Sequence, residues 1–193
     1  MTPAEAVERA RSLLGKGHPY VLGGGNREGP TRVAKKDQAG KIIGYTDPGF
    51  DCWGFADAWA YDHPRHDPGF NKGPWATVTD DRNCDSAIED AEHTMQAYRV
   101  TDRPELGCLL VMPSVRDPKT KKRIRIGHVW LVTGVTAEWD PAHPQPQYHL
   151  LETLQCQASK HPAIRLGPGP LHDGRVFRGV SRDEWRIRML RVM

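Results

Sequence analysis

The order of two apolar patterns is what most restricts this chain. In the first half, apolar residues recur at helical spacing. Thr2 suits a helix cap and Pro3 a first helical position, and Ala6, Ala10, Leu13 and Leu14 follow until Gly15. The stretch "GFDCWGFADAWAY", Gly49 to Tyr61, predicts a second helix starting at Asp51 or Cys52, with Cys52, Phe55, Ala56 and Trp59 on one face. The prolines and glycine of "DHPRHDPG" end it. Ser86 to Tyr98 predicts a third helix. After it come short apolar or alternating runs, "GCLLVMP", "IGHVWLVTGV", "YHLLETL", "AIRL" and "EWRIRMLRV", bounded by Gly, Pro and Asp. Helices first and strands afterwards predict an α+β domain with N-terminal helices packed on a C-terminal antiparallel sheet, since alternating βαβ units would interleave the two.

At 193 residues the chain suits one domain over 1–193. The polar, turn-rich "REGPTRVAKKDQAGKIIGYTDPG" predicts a loop or hairpin inserted at about 26–48. Charge excludes some functions: 27 Lys+Arg against 24 Asp+Glu leave +3, spread along the chain, too little to argue for nucleic acid. The cluster "KTKKRIR", Lys119 to Arg125, predicts a solvated hairpin tip. No run approaches the roughly 18 apolar residues of a membrane span. The polar N-terminus lacks an apolar h-region, so synthesis in the cytoplasm without a secretory signal peptide is expected.

The cysteines narrow the chemistry. Cys52, Cys84, Cys108 and Cys156 are far apart and form no CxxC pair, which predicts reduced thiols rather than a zinc finger or a disulfide scaffold. His63 and His66 lie across a proline turn, and neither a metal nor a cofactor is expected. Cys52 differs from the rest in heading an apolar helical pattern, where unpaired backbone N–H groups favour a thiolate. Cys84, Cys108 and Cys156 are expected to be packing thiols, since none heads a helix beside a base.

A cysteine nucleophile needs a base, usually a histidine held by a third polar group. Of nine histidines, most lie in turns rich in proline or acidic residues, whereas His128 follows Gly127 at the start of a strong strand. In "QYHLLETLQ", alternation puts Tyr148, Leu150 and Glu152 on one face, which makes Glu152 a candidate third residue. Gln155 and His161 compete with it.

The order of these pieces resembles the NlpC/P60 superfamily of papain-like cysteine peptidases. The matching places are Tyr20 with Gly23 and Gly24, Asp51 to Phe55, Pro104 to Leu106, and His128 with Val129. The resemblance spans roughly Ala4 to Thr153 and implies a papain-like fold. It further implies Cys52 as nucleophile, His128 as general base and Glu152 as the residue orienting the histidine. Tyr20, Asp51 and Trp53 would line the substrate cleft, with Asp51 pairing a substrate amine. Trp53, Glu105-Leu106 and Trp130 depart from the family's usual small or Gly-Asp residues.

The implied activity is that of a cysteine peptidase or amidase cutting an amide bond in bacterial peptidoglycan stem peptides, as a lysin or a delivered toxin. Such a protein would act on the cell wall after release or delivery, with an immunity protein or delivery machinery as partner. The alternative is a papain-like acyltransferase or thioesterase, with Trp53, Trp59 and Trp130 offered to an acyl chain.

Overall fold

A computed structural model describes residues 1–67, 69–70, 82–117, 119–120, 122–125, 127–136, 138–140, 142, 147–158, 162–170 and 187–193. The fold begins with α1 (Pro3–Arg11), capped as its sequence predicts. Thr2 Oγ1 accepts from the Glu5 N–H at 3.3 Å, and the Glu5 carboxylate accepts from the Thr2 N–H at 2.7 Å. The helix buries Ala6, Val7 and Ala10 and ends before the Gly15 turn.

The turn-rich stretch that follows contains a two-stranded antiparallel hairpin, β1 (Ala34–Lys36) with β2 (Ile42–Tyr45). Helical backbone then starts at Cys52 and widens into a π-type helix over Gly54–Trp59, here the central helix. The widening is visible in the Ala60 N–H, which donates to Phe55 O five residues back at 3.2 Å.

The third helix departs from its expected bounds at both ends. It starts two residues earlier, as α2 (Cys84–Glu89), because Asn83 caps it and accepts from the Asp85 and Ser86 N–H groups. It continues through a wide turn over Asp90–Thr94 and stops at Met95, whose φ of 48° is left-handed. Buried Asp90 accounts for the stop. Its carboxylate accepts from the N–H groups of Gln96, Ala97 and Tyr98, each at 2.9 Å, and turns the chain into β3 (Tyr98–Val100).

The later strands are β4 (Leu109–Met112), β5 (Val115–Arg116), β6 (Arg123–Arg125), β7 (His128–Val135), β8 (Leu151–Cys156), β9 (Ile164–Pro168) and β10 (Arg188–Val192). Five of them join β3 in one antiparallel sheet in the order β3-β10-β4-β7-β8-β9. The other two pair as a separate hairpin, with Lys119, Thr120 and Lys122 exposed at its tip. Helices and sheet together make a mixed α+β fold.

The sheet is apolar on both faces, which explains why β4 and β7 read as nearly continuous apolar runs. Leu109, Val111, Val129, Leu131 and Leu154 pack against α1 and the central helix, with Val7, Trp53 and Phe55. Leu110, Met112, Trp130, Val132 and Leu151 form a second core on the far face. Tyr148–Leu150, expected to belong to a strand, instead makes a 3-10 turn leading into β8. Among the described residues no helix is long and apolar enough to cross a membrane.

Candidate active site

The chain just before Cys52 is pinned by the glycine loop. Val21 N–H donates to Phe50 O at 2.8 Å, Phe50 N–H to Pro19 O at 3.2 Å and Asp51 N–H to Gly24 O at 3.0 Å. The central helix presses on the same loop. A Cβ at Gly54 would lie 2.2 Å from Gly24 O and 2.7 Å from Gly25 O, so only glycine permits this approach.

Asp51 locks the junction. It is 4% exposed and accepts from Gly23 N–H at 2.9 Å, Gly54 N–H at 2.7 Å, and Arg65 at 3.0 Å (Nη1) and 2.5 Å (Nη2). A carboxylate offers about four lone-pair sites. All four are occupied, and the charge is matched by a guanidinium. This corrects the expectation that Asp51 pairs a substrate amine: the residue lines the cleft but serves to hold the glycine loop to the helix start. Arg65, which also donates to Gly24 O at 2.8 Å and Gly25 O at 3.2 Å, is a site residue that the sequence reading missed inside a proline-rich turn.

Cys52 faces a cavity of about 290 Å³ that Tyr20, Asp51, Trp53, Arg65, Cys84 and Gly127 help to line. Its Sγ lies 4.0 Å from Gly127 O. A hydrogen bond with Cys84, then one with His128 and that ring's charge, draw the thiol down from 9.0 to about 5, against burial and the Asp51 charge. The first helical N–H groups have no intrahelical acceptor. Asp51 takes that of Gly54, so those of Cys52 and Trp53 are the donors left for a developing oxyanion.

His128 opens β7 and is brought to Cys52 across the sheet edge. Its Nε2 lies 3.4 Å from Gln155 Oε1, and its ring meets Trp130 edge to face at 4.4 Å between centroids. Gln155 is buried on β8, so a neutral amide holds the ring.

Glu152 does not take the third role. It pairs with Gly134, six residues along β7 from His128 or about 20 Å at strand rise, past a register shift between Val132 and Gly134. There its carboxylate accepts from Thr133 Oγ1 at 2.8 Å and lies 3.6 Å from Arg11, with 35% of the side chain exposed. The strand begins only at Leu151, so alternation counted from Tyr148 misplaces it. His161, the other competitor, lies outside the described residues, as do His143 and His172.

Tyr20 and Trp53 both line this cavity. Burial, followed by the charges of Cys52 and Asp51, pushes the Tyr20 phenol upward and keeps it a proton donor. Trp53 is almost wholly buried against the Tyr98 ring, and its Nε1 has no partner among the described residues.

Cys108 and Cys156 are buried thiols whose ionisation burial opposes, and Cys156 Sγ donates to Phe50 O at 3.3 Å. Cys84 is a buried thiol of the core, as expected, but it does head a helix, which the sequence did not lead us to expect. The local signal was Asn83, a favoured cap residue. Among the described residues no group of three or more His, Cys, Asp or Glu is arranged to hold a metal ion. No family model, no curated protein and no solved structure matches the chain.

Proposed function

We propose that this protein is a cysteine hydrolase of papain-like, NlpC/P60 type that cuts an amide bond in peptidoglycan stem peptides. The observation that carries the proposal is Cys52 lining the cavity, its thiol drawn down to about 5 in part by the neighbouring His128, whose ring lies 3.4 Å from Gln155 Oε1. His128 takes the Cys52 proton and leaves a thiolate, which the lowered Cys52 thiol favours near neutrality. The thiolate attacks the amide carbonyl, and the oxyanion is met by the Cys52 and Trp53 N–H groups. The imidazolium gives its proton to the leaving amine, which leaves a thioester on Cys52. Water, deprotonated by the neutral imidazole, adds to the thioester and releases the acid, restoring the pair.

The substrate class comes from the family resemblance, and the saturated Asp51 modifies it. With no unpaired carboxylate at that position, selection for a free amine beside the scissile bond is not expected from Asp51. The acyl-transfer alternative is weakened by its tryptophans. Trp59 donates to Arg9 O at 3.2 Å beneath the Arg9 guanidinium, and Trp130 is buried in the second core, which leaves Trp53 alone at the cavity. A cavity near 290 Å³ lies at the small end of ligand sites and suits a short peptide segment better than a long chain. The proposal includes the partners such a hydrolase needs, delivery machinery to reach the wall and an immunity protein where the producer is at risk.

The test is incubation with defined peptidoglycan fragments and mass analysis of the products. Wild type should yield one new amine and one new carboxylate per cut, and Cys52→Ala none. Equal cleavage by Cys52→Ala, or cleavage of acyl thioesters with no stem peptide cut, overturns the proposal.

A further inference from the structure

The basic segment Lys119 to Arg125, which the sequence presents as a solvated tip, is a charged motif that amide hydrolysis leaves without a task. Its tip is exposed, but Arg123 on β6 lines the cavity that holds Cys52. Both ends of the hairpin are fixed to α2 there. Before β5, the Ser114 N–H donates to Asp85 at 2.7 Å, and the Ser114 hydroxyl donates to the other Asp85 oxygen. After β6, Gly127 packs on Cys84: a Cβ at Gly127 would lie 2.8 Å from Cys84 Cβ, so only glycine permits the approach.

Several polar side chains of this cavity already have partners. Asp51 is saturated by two N–H groups and Arg65. Asn83 caps α2, and each Asp85 oxygen accepts from Ser114. The Tyr20 hydroxyl and the Arg123 guanidinium, by contrast, make no hydrogen bond or ion pair among the described residues. Tyr20 is half-buried and Arg123 exposed, so solvent or substrate can reach both. A guanidinium only donates, and a phenol donates to an anion. Arg123 also stands opposite Arg116 in the strand register. Like charges facing each other across a ladder are destabilising, and a bound anion offsets that repulsion.

We propose that Arg123 is a specificity-determining residue whose guanidinium binds a free carboxylate of the peptide beside the scissile bond, with the Tyr20 hydroxyl as a further donor from the glycine loop. This rests on the reading of Cys52 as the nucleophile of a peptide hydrolase. A guanidinium fork matches both oxygens of a carboxylate, whereas a carboxamide offers it one oxygen and no charge. A cavity of about 290 Å³ has room only for residues next to the bond being cut, so the carboxylate that Arg123 reads belongs to one of them. The enzyme therefore prefers stem peptides with a free carboxylate at that place over those in which it is amidated.

The test is steady-state cleavage of paired synthetic stem peptides that differ only in a free carboxylate or its carboxamide beside the scissile bond. Wild type should show a kcat/KM about tenfold higher on the acid, carried by KM. That is the lower end for a hydrogen bond to a charged group, because the guanidinium is exposed. In Arg123→Gln the ratio should fall to about one, and Arg123→Lys, which keeps the charge without the fork, should lie between. Lys122→Gln removes the same charge at the hairpin tip and should keep the wild-type ratio. A ratio near one in wild type, a preference for the carboxamide, or an equal fall in Lys122→Gln and Arg123→Gln overturns the proposal while the hydrolase reading stands. Wild type also supplies a measurement that depends on no variant folding: added salt should raise KM for the acid and leave that for the carboxamide unchanged, and an equal response overturns the proposal. If wild type cuts neither peptide, the hydrolase reading fails and takes this inference with it.

Discussion

Replacing Arg65 with methionine removes the cation from Asp51 while keeping most of the side chain's length. The carboxylate is 4% exposed and would retain only the Gly23 and Gly54 N–H donors, losing both guanidinium bonds. Breaking a buried ion pair by deleting one partner costs about 3–5 kcal/mol. Arg65 keeps 27% of its side chain in solvent, so water partly replaces it and the figure falls to about 2–4 kcal/mol. The Gly25 carbonyl loses its Arg65 donor as well, and that of Gly24 is left with the Asp51 N–H, which puts the expected loss in the upper part of that range. At roughly 2–4 °C per kcal/mol for a chain of this size, Tm should drop by about 5–15 °C. Arg65→Lys keeps the charge but not the fork and should lose about half as much. Urea unfolding followed by circular dichroism gives the free energy directly. A midpoint for Arg65→Met within about 0.5 kcal/mol of wild type, at unchanged m-value, would refute the claim that this pair clamps the glycine loop to the helix start.

Other outcomes follow from the same geometry. Gln155→Ala should lower kcat on a cleavable stem peptide about 10- to 100-fold, the range for one hydrogen bond to a charged ring, while Glu152→Ala should leave kcat near wild type; steady-state assays of both variants decide between them. Gly54→Ala would place a methyl group 2.2 Å from Gly24 O and should cost at least about 2 kcal/mol in urea unfolding, with the loop displaced from Cys52. Asp51→Asn should change KM equally for free-amine and N-acetylated stem peptides, because the carboxylate is already saturated. A selective rise for the free-amine peptides would return Asp51 to the substrate.

What the sequence alone determined depended on signals exchanged between near neighbours. The cap at Thr2 and Glu5 acts across three residues, so α1 was legible, and the apolar spacing after Asp51 placed Cys52 at a helix mouth. The change from helical to strand patterning after Tyr98 set the α+β class, and Gly127-His128 before an apolar run marked the start of β7. The end of the third helix was hidden because the Asp90 carboxylate, not a glycine or proline, stops it.

Only the tertiary structure decided how distant groups met. The third member of the site depends on the register of β8 against β7. The shift between Val132 and Gly134, together with the 3-10 turn at Tyr148–Leu150, brings Gln155 to His128 and carries Glu152 to the far end. Alternation along one strand says which residues share a face, but it says nothing of which residue on the neighbouring strand stands opposite. The charge state of the cleft was equally non-local: Asp51 reads as a free carboxylate until Arg65, folded back from a proline-rich turn, fills its remaining lone pairs. Cys84 and Cys52 are 32 positions apart in sequence and line one cavity because α2 and the strand-opening Gly127 close on it. Hydrogen-bond partners across such separations are selected by packing, and packing is a property of the folded chain as a whole.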